Sequence, residues 1–156
     1  MQTNGPGPRY RALLALLRAA DVVWNASHAL FARWDLSPSQ FNVLNLLADQ
    51  PAGLTQTELS RALIMHRSNV TGLVDRLEGR GLLARHDTAG DRRAWRVQLT
   101  PAGQRLIGEI LPHYYAAAER VWGRVPAARA RALTTELDAL AKNAEALAAR
   151  FAESQS

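Results

Sequence analysis

Cysteine is missing from this chain, which excludes disulfides, thiolate metal sites and sensing by thiol oxidation. The four histidines, His28, His66, His86 and His113, form neither an H-x-x-x-H nor an H-E-x-x-H pair, so no metal site is expected. The G-x-S-x-G elbow, the P-loop and the dinucleotide fingerprint are also absent, leaving no enzymatic activity and no cofactor to expect. No apolar run nears the roughly 20 residues needed to cross a bilayer. Met1 to Pro8 is rich in glycine and proline and lacks the apolar core of a signal peptide. A cytoplasmic protein is the expectation. Lysine is nearly absent as well: Lys142 is the only one among 19 basic residues. Arginine is favoured where phosphate or guanine is gripped in bidentate fashion. A GC-rich coding bias produces the same imbalance, and composition is the first explanation.

What remains is a chain of 156 residues, enough for one domain or one domain with an extension. Arg9 to about Trp34 predicts a long first helix, with Leu13, Leu16/Leu17, Ala20, Val23/Trp24, Ser27, Leu30/Phe31 and Trp34 recurring at three and four. Ser37-Pro38-Ser39-Gln40 opens a second helix with a serine cap, proline at N1 and glutamine at N3. Its buried face is Phe41, Leu44 and Leu47. Thr100-Pro101 starts a further helix by the same logic, lined by Leu106, Ile107, Ile110 and Leu111, with a kink expected at Pro112. The last helix carries Leu133, Leu137, Leu140, Ala144, Leu147 and Phe151 at the spacing of a coiled-coil seam.

The stretch from Leu54 to Gly103 is the part around which the rest is organised. Thr55 to Glu58 is a capping box flanked by Leu54 and Leu59 at staple positions. The next helix buries Val70, Leu73, Val74 and Leu77. Its early turns offer Arg67, Ser68, Asn69 and Thr71, side chains suited to phosphates and base edges in a major groove. Gly81 ends it. Leu82 to His86 and Ala94 to Leu99 read as a hairpin around the turn residues Asp87-Thr88-Ala89-Gly90. The Arg92/Arg93 tip suits the narrow, electronegative minor groove. Residues 55–100 hold eight arginines against five acids, more than half of the chain's net charge of +5, which fits a polyanionic partner.

These residues carry a resemblance to the MarR (multiple-antibiotic-resistance regulator) family of winged-helix transcription factors. The family's recognition-helix pattern S-x-V-T-x-L-V-D-R-L-E-x-x-G-L is matched by Ser68, Val70, Thr71, Leu73, Val74, Asp75, Arg76, Leu77, Glu78, Gly81 and Leu82. The wing motif D-x-R is matched by Asp91 and Arg93, and V-x-L-T-x-x-G by Val97, Leu99, Thr100 and Gly103. One position departs: where many relatives carry a serine or aspartate cap before the recognition helix, this chain has His66.

The resulting expectation is a mainly α fold with a small β-hairpin wing. Residues 37–100 form the winged helix-turn-helix DNA-binding domain, and residues 1–36 and 101–156 a helical dimerisation region. The terminal helices are more apolar than the winged helix can cover, and a second copy is the simplest partner; the resemblance implies the same. The partners expected are double-stranded DNA with a palindromic operator, and the chain itself as a homodimer. Thr55, Gln56 and Thr57 would meet phosphate, with Arg67, Ser68, Asn69, Thr71 and Arg76 in or beside the major groove and Arg92 or Arg93 in the minor. Asp75 and Asp91 read as acids that brace helix against wing. The resemblance also implies a small aromatic effector, for which Trp24, His28, Trp34, His113, Tyr114 and Tyr115 supply suitable chemistry. The alternatives are a winged helix used only for protein interaction, and a metal-responsive regulator.

Overall fold

The computed structural model describes residues 7–63, 67–88 and 91–154, and of Arg67, Thr88 and Asp91 to Ala94 the backbone alone. Two compact units emerge, residues 1–112 and 113–156. Among the described residues no helix is long and apolar enough to cross a membrane.

The first unit begins with helix α1 (Pro8–Phe31), which passes into a 3-10 turn at Ala32–Trp34 rather than continuing as α-helix. Asp35 then takes a left-handed conformation, φ 53°. Helix α2 (Pro38–Ala48) starts with the expected capping box: the Gln40 amide donates to the Ser37 hydroxyl, and the Ser37 amide to the Gln40 side chain. It is the central helix, burying Phe41, Val43, Leu44 and Leu47, with Phe41 stacked on Phe31 of α1 at 4.2 Å between ring centres.

Strand β1 (Leu54–Thr55), helix α3 (Gln56–Ala62) and helix α4 (Arg67–Gly79) follow. Thr55 closes the second capping box with Glu58 at the start of α3. The cap position of α4 at His66 lies outside the described residues. On α4, Val70, Leu73, Val74 and Leu77 are all buried, as their spacing requires. The helix ends in a Schellman turn: the Leu82 amide donates to the Leu77 carbonyl, and that of Gly81 (φ 68°) to Glu78.

The ribbon is larger than the sequence indicates. Strand β2 (Leu83–Thr88) pairs antiparallel with β3 (Asp91–Leu99), and β1 pairs with the other edge of β3, giving a three-stranded sheet in the order β1-β3-β2. Asp87 faces Trp95 and Thr88 faces Asp91, so the register jumps across residues 92–94. The turn residues Ala89 and Gly90 lie outside the described residues.

Helix α5 (Pro101–Trp122) contains Pro112. At its start the Thr100 hydroxyl accepts from the Gly103 amide and donates to the Gly81 carbonyl, while the Thr100 amide donates to Leu82. This gives the V-x-L-T-x-x-G pattern its physical meaning. The threonine caps α5 and ties it to the end of α4. Gly103 lets the helix touch the Leu82 carbonyl, against which any Cβ would lie 2.1 Å away.

The second unit is the end of α5 and helix α6 (Ala127–Glu153). No residue of α6 is buried: Leu133, Leu140, Leu147 and Phe151 are all exposed. In the first unit, α1 likewise buries only Phe31 and leaves Leu13, Leu17, Val23 and Trp24 exposed.

Candidate nucleic-acid interface

Helix α4 has two polar flanks. On one, Asp75 and Glu78 both receive the guanidinium of Arg85, which projects from β2, and the Arg85 amide donates to Glu78 at 3.2 Å. This pairing clamps the helix to the wing. On the other flank, Ser68, Asn69, Gly72 and Arg76 follow one another at helical spacing. With Ser39 of α2 and Leu73 they line a shallow groove of about 320 Å³.

Thr71, four residues before Asp75, lies outside the groove-lining set. Its hydroxyl lies 3.5 Å from the Gln56 side chain, in contact with α3. The Thr55 hydroxyl both accepts from the Glu58 amide and donates to the Glu58 carboxylate, so it holds the cap of α3. The Thr55 amide donating to it, then the Thr55 hydroxyl and the nearby Arg96 and Arg61, hold the Glu58 carboxyl below its ordinary value of 4.5. Thr57 is exposed on the first turn of the same helix.

Three arginines absent from the sequence-derived site have fixed structural partners. Arg85 is the clamp. Arg96 donates to the carbonyls of Ala52 and Gly53 at 3.1 Å each and lies 3.8 Å from Glu58, fastening the loop before α3 to β3. Arg80 reaches the carbonyls of Trp34 and Asp35, holding the end of α4 to the link between α1 and α2. No local spacing marks these roles, since the partners lie 7 to 46 positions away. The side chains of Arg67, Asp91, Arg92 and Arg93 lie outside the described residues.

The aromatic candidates divide between the two units. In the first, the Trp34 indole donates to Glu109 at 2.8 Å, and Trp24 meets His28 edge-on at 6.3 Å on the exposed face of α1. In the second, Tyr114 and Tyr115 have ring centres 6.4 Å apart, next to His113. Among the described residues no group of three metal-ligating side chains is present.

Residues 34–94, the section just described, match the family model described as "MarR family". The transcriptional regulator HosA of Escherichia coli O157:H7 is 32% identical over 62% of this chain and 74% of its own. The chain belongs to the MarR family. A second MarR-family relative, the HTH-type transcriptional regulator PecS of Dickeya dadantii, is 31% identical over 64% of this chain, which spans only 61% of PecS. The fold matches that of the transcriptional repressor CouR bound to a 23-mer DNA duplex, with a TM-score of 0.75 and 32% identity over 81% of this chain and 89% of that one. CouR from Rhodococcus jostii RHA1 has also been solved with p-coumaroyl-CoA. The MarR-family fold accounts for the winged helix; the relatives are transcriptional regulators rather than enzymes, and CouR among them is solved on DNA.

Proposed function

We propose that this MarR-family chain is a homodimeric repressor that binds a palindromic operator and is released by a small aromatic compound. The observation that carries the DNA-binding part is the division of α4. Its apolar face is buried and its acidic flank neutralised by Arg85, while Ser68, Asn69 and Arg76 line a groove on the opposite flank. Asn69, Ser68 and Arg67 enter the major groove, Thr71 at its margin, and Arg92 or Arg93 the minor groove. Arg76 and the first turn of α3, at Thr55, Gln56 and Thr57, meet phosphates. Asp75, and by the same logic Asp91, brace the wing.

Dimerisation is supported by the apolar faces of α1 and α6, which one copy leaves exposed; two copies cover them and present two recognition helices to two half-sites. Trp24, His28, Trp34, His113, Tyr114 and Tyr115 are the residues proposed for the effector. CouR, which binds an aromatic thioester, supports that chemical class. Such a molecule shifts the repressor only by its difference in affinity for the two states. The cytoplasm, where the DNA is, is the proposed place of action.

The test is a gel-shift series on the chain's own upstream region. The expected result is salt-sensitive binding that is weakened in Asn69→Ala and in Arg92→Ala/Arg93→Ala. It should be abolished, together with dimerisation, by truncation from Leu133. Unchanged affinity in the point variants refutes the site, and a truncated chain that still sediments as a dimer refutes the α6 interface.

A further inference from the structure

Gly72 stands in the middle of the recognition helix, where glycine costs a helix about 1 kcal/mol relative to alanine. Nothing in the fold calls for it. It has no left-handed φ, and an added Cβ would meet only the Arg76 guanidinium, at an ordinary contact of 3.6 Å. What its missing side chain does provide is room: Gly72 lines the 320 Å³ groove together with Arg76, Ser68, Asn69 and Leu73. Ser39 also lines it, and comes from a different element, α2.

The lining is therefore mostly polar, with one arginine among the described residues and a glycine backbone among its components. It also runs along the side of α4 that Arg85 leaves clear of acids. A single oxyanion satisfies that combination. The Ser39 hydroxyl complements its oxygens, Arg76 its charge, and a glycine without Cβ permits close approach. Placed beside the residues that enter the major groove, the oxyanion is a phosphate of the strand bordering that groove.

Building on the DNA-binding reading above, we infer that the groove between Ser39 and Arg76 clamps one backbone phosphate per half-site. Gly72 is then kept open for the DNA and not for the fold. Ser39 becomes a DNA contact supplied from outside the helix-turn-helix pair.

Three measurements test this on the full chain, using fluorescence anisotropy with a labelled duplex of its upstream region. Gly72→Ala should raise the melting temperature by about 2–4 °C and weaken DNA binding about tenfold or more, effects of opposite sign that a merely structural glycine would not give. Ser39→Ala should weaken operator binding about a hundredfold, roughly tenfold for one hydrogen bond to a charged group in each of the two half-sites. Replacing phosphates one at a time by neutral methylphosphonate should identify one position per half-site that weakens the wild type but weakens Ser39→Ala much less. If the wild type binds and Gly72→Ala binds equally well, the clamp is wrong while the regulator reading stands. Equal methylphosphonate losses in wild type and Ser39→Ala also overturn it. If the wild type binds no duplex, it is the DNA-binding reading that fails.

Discussion

Two glycines in α5 should respond to the same substitution with opposite signs. Gly108 faces open space, with nothing within 4 Å of an added Cβ. Alanine there removes the helix penalty of glycine and should stabilise the chain by up to ~1 kcal/mol. At Gly103 the added Cβ would lie 2.1 Å from the Leu82 carbonyl oxygen and 3.1 Å from a Leu99 methyl. Restoring an ordinary 3.4 Å contact means separating α5 from the turn at Leu82 by about 1.3 Å. That movement would strain the hydrogen bonds from Thr100 to Gly81 and Leu82, which hold the same junction. Overpacking of this kind costs about 1–3 kcal/mol, and the clash is with backbone, so the upper end applies. After the helix gain is subtracted, Gly103→Ala should lose about 2 kcal/mol, or roughly 4–8 °C in melting temperature. Urea unfolding at one fixed protein concentration, with unchanged slope, is the assay. Stabilisation by both substitutions would refute the packing argument.

The clamp and the cap give two further expectations. Arg85→Ala removes two partly exposed ion pairs and should cost about 1–2 kcal/mol by urea titration. It should also weaken operator binding by loosening α4 from the wing; DNA affinity equal to wild type would show that the clamp does not set that geometry. The lowered pKa of Glu58 means that its ionised form stabilises the folded chain above pH 4.5, a contribution lost as the pH falls through the folded value. Glu58→Gln keeps an acceptor for the Thr55 amide but not the charge. Its melting curve should therefore lie below that of the wild type near neutrality and converge with it in acid, and a constant gap would count against the cap charge.

Where a structural role depends on residues three or four apart, the sequence reveals it. Both capping boxes, the buried face of α4 and the Gly81 stop are local geometry, set by the chain's own period. Strand β1 is different. It has only two residues, Leu54 and Thr55, and exists because Val97 and Arg96 lie opposite. Thr55 was legible as a helix cap but not as a strand residue, though it is both. The partner of Asp75 was similarly hidden: Arg85 comes into reach only because the Schellman turn folds β2 back along α4. The apolar stripe of α1 was legible as a stripe, yet within one chain only Phe31 is buried. Periodicity reveals a face but not what covers it.

Counting charges along residues 55–100 gives a modest surplus of base, but the count conceals how those charges are arranged. Both acids of α4's middle turns lie on the wing side, where Arg85 takes them up. Arg96 and Arg80 are likewise engaged with carbonyls that fix loops in place. The flank carrying Ser68, Asn69, Gly72 and Arg76 therefore presents cationic and neutral groups without an acid among them. A helix that must approach a polyanion can carry carboxylates only if they are neutralised and turned away, because an unpaired one would repel every phosphate nearby. The D-R-L-E run meets that condition by register. Asp75 and Glu78 are three apart on one side, and Arg76 is turned about 100° from Asp75 onto the other. Moving either acid one position toward the C-terminus would bring it round to the Arg76 flank, and one position back would bury it at Val74 or Leu77, so the order of these residues, more than their net charge, suits α4 to the proposed approach to DNA.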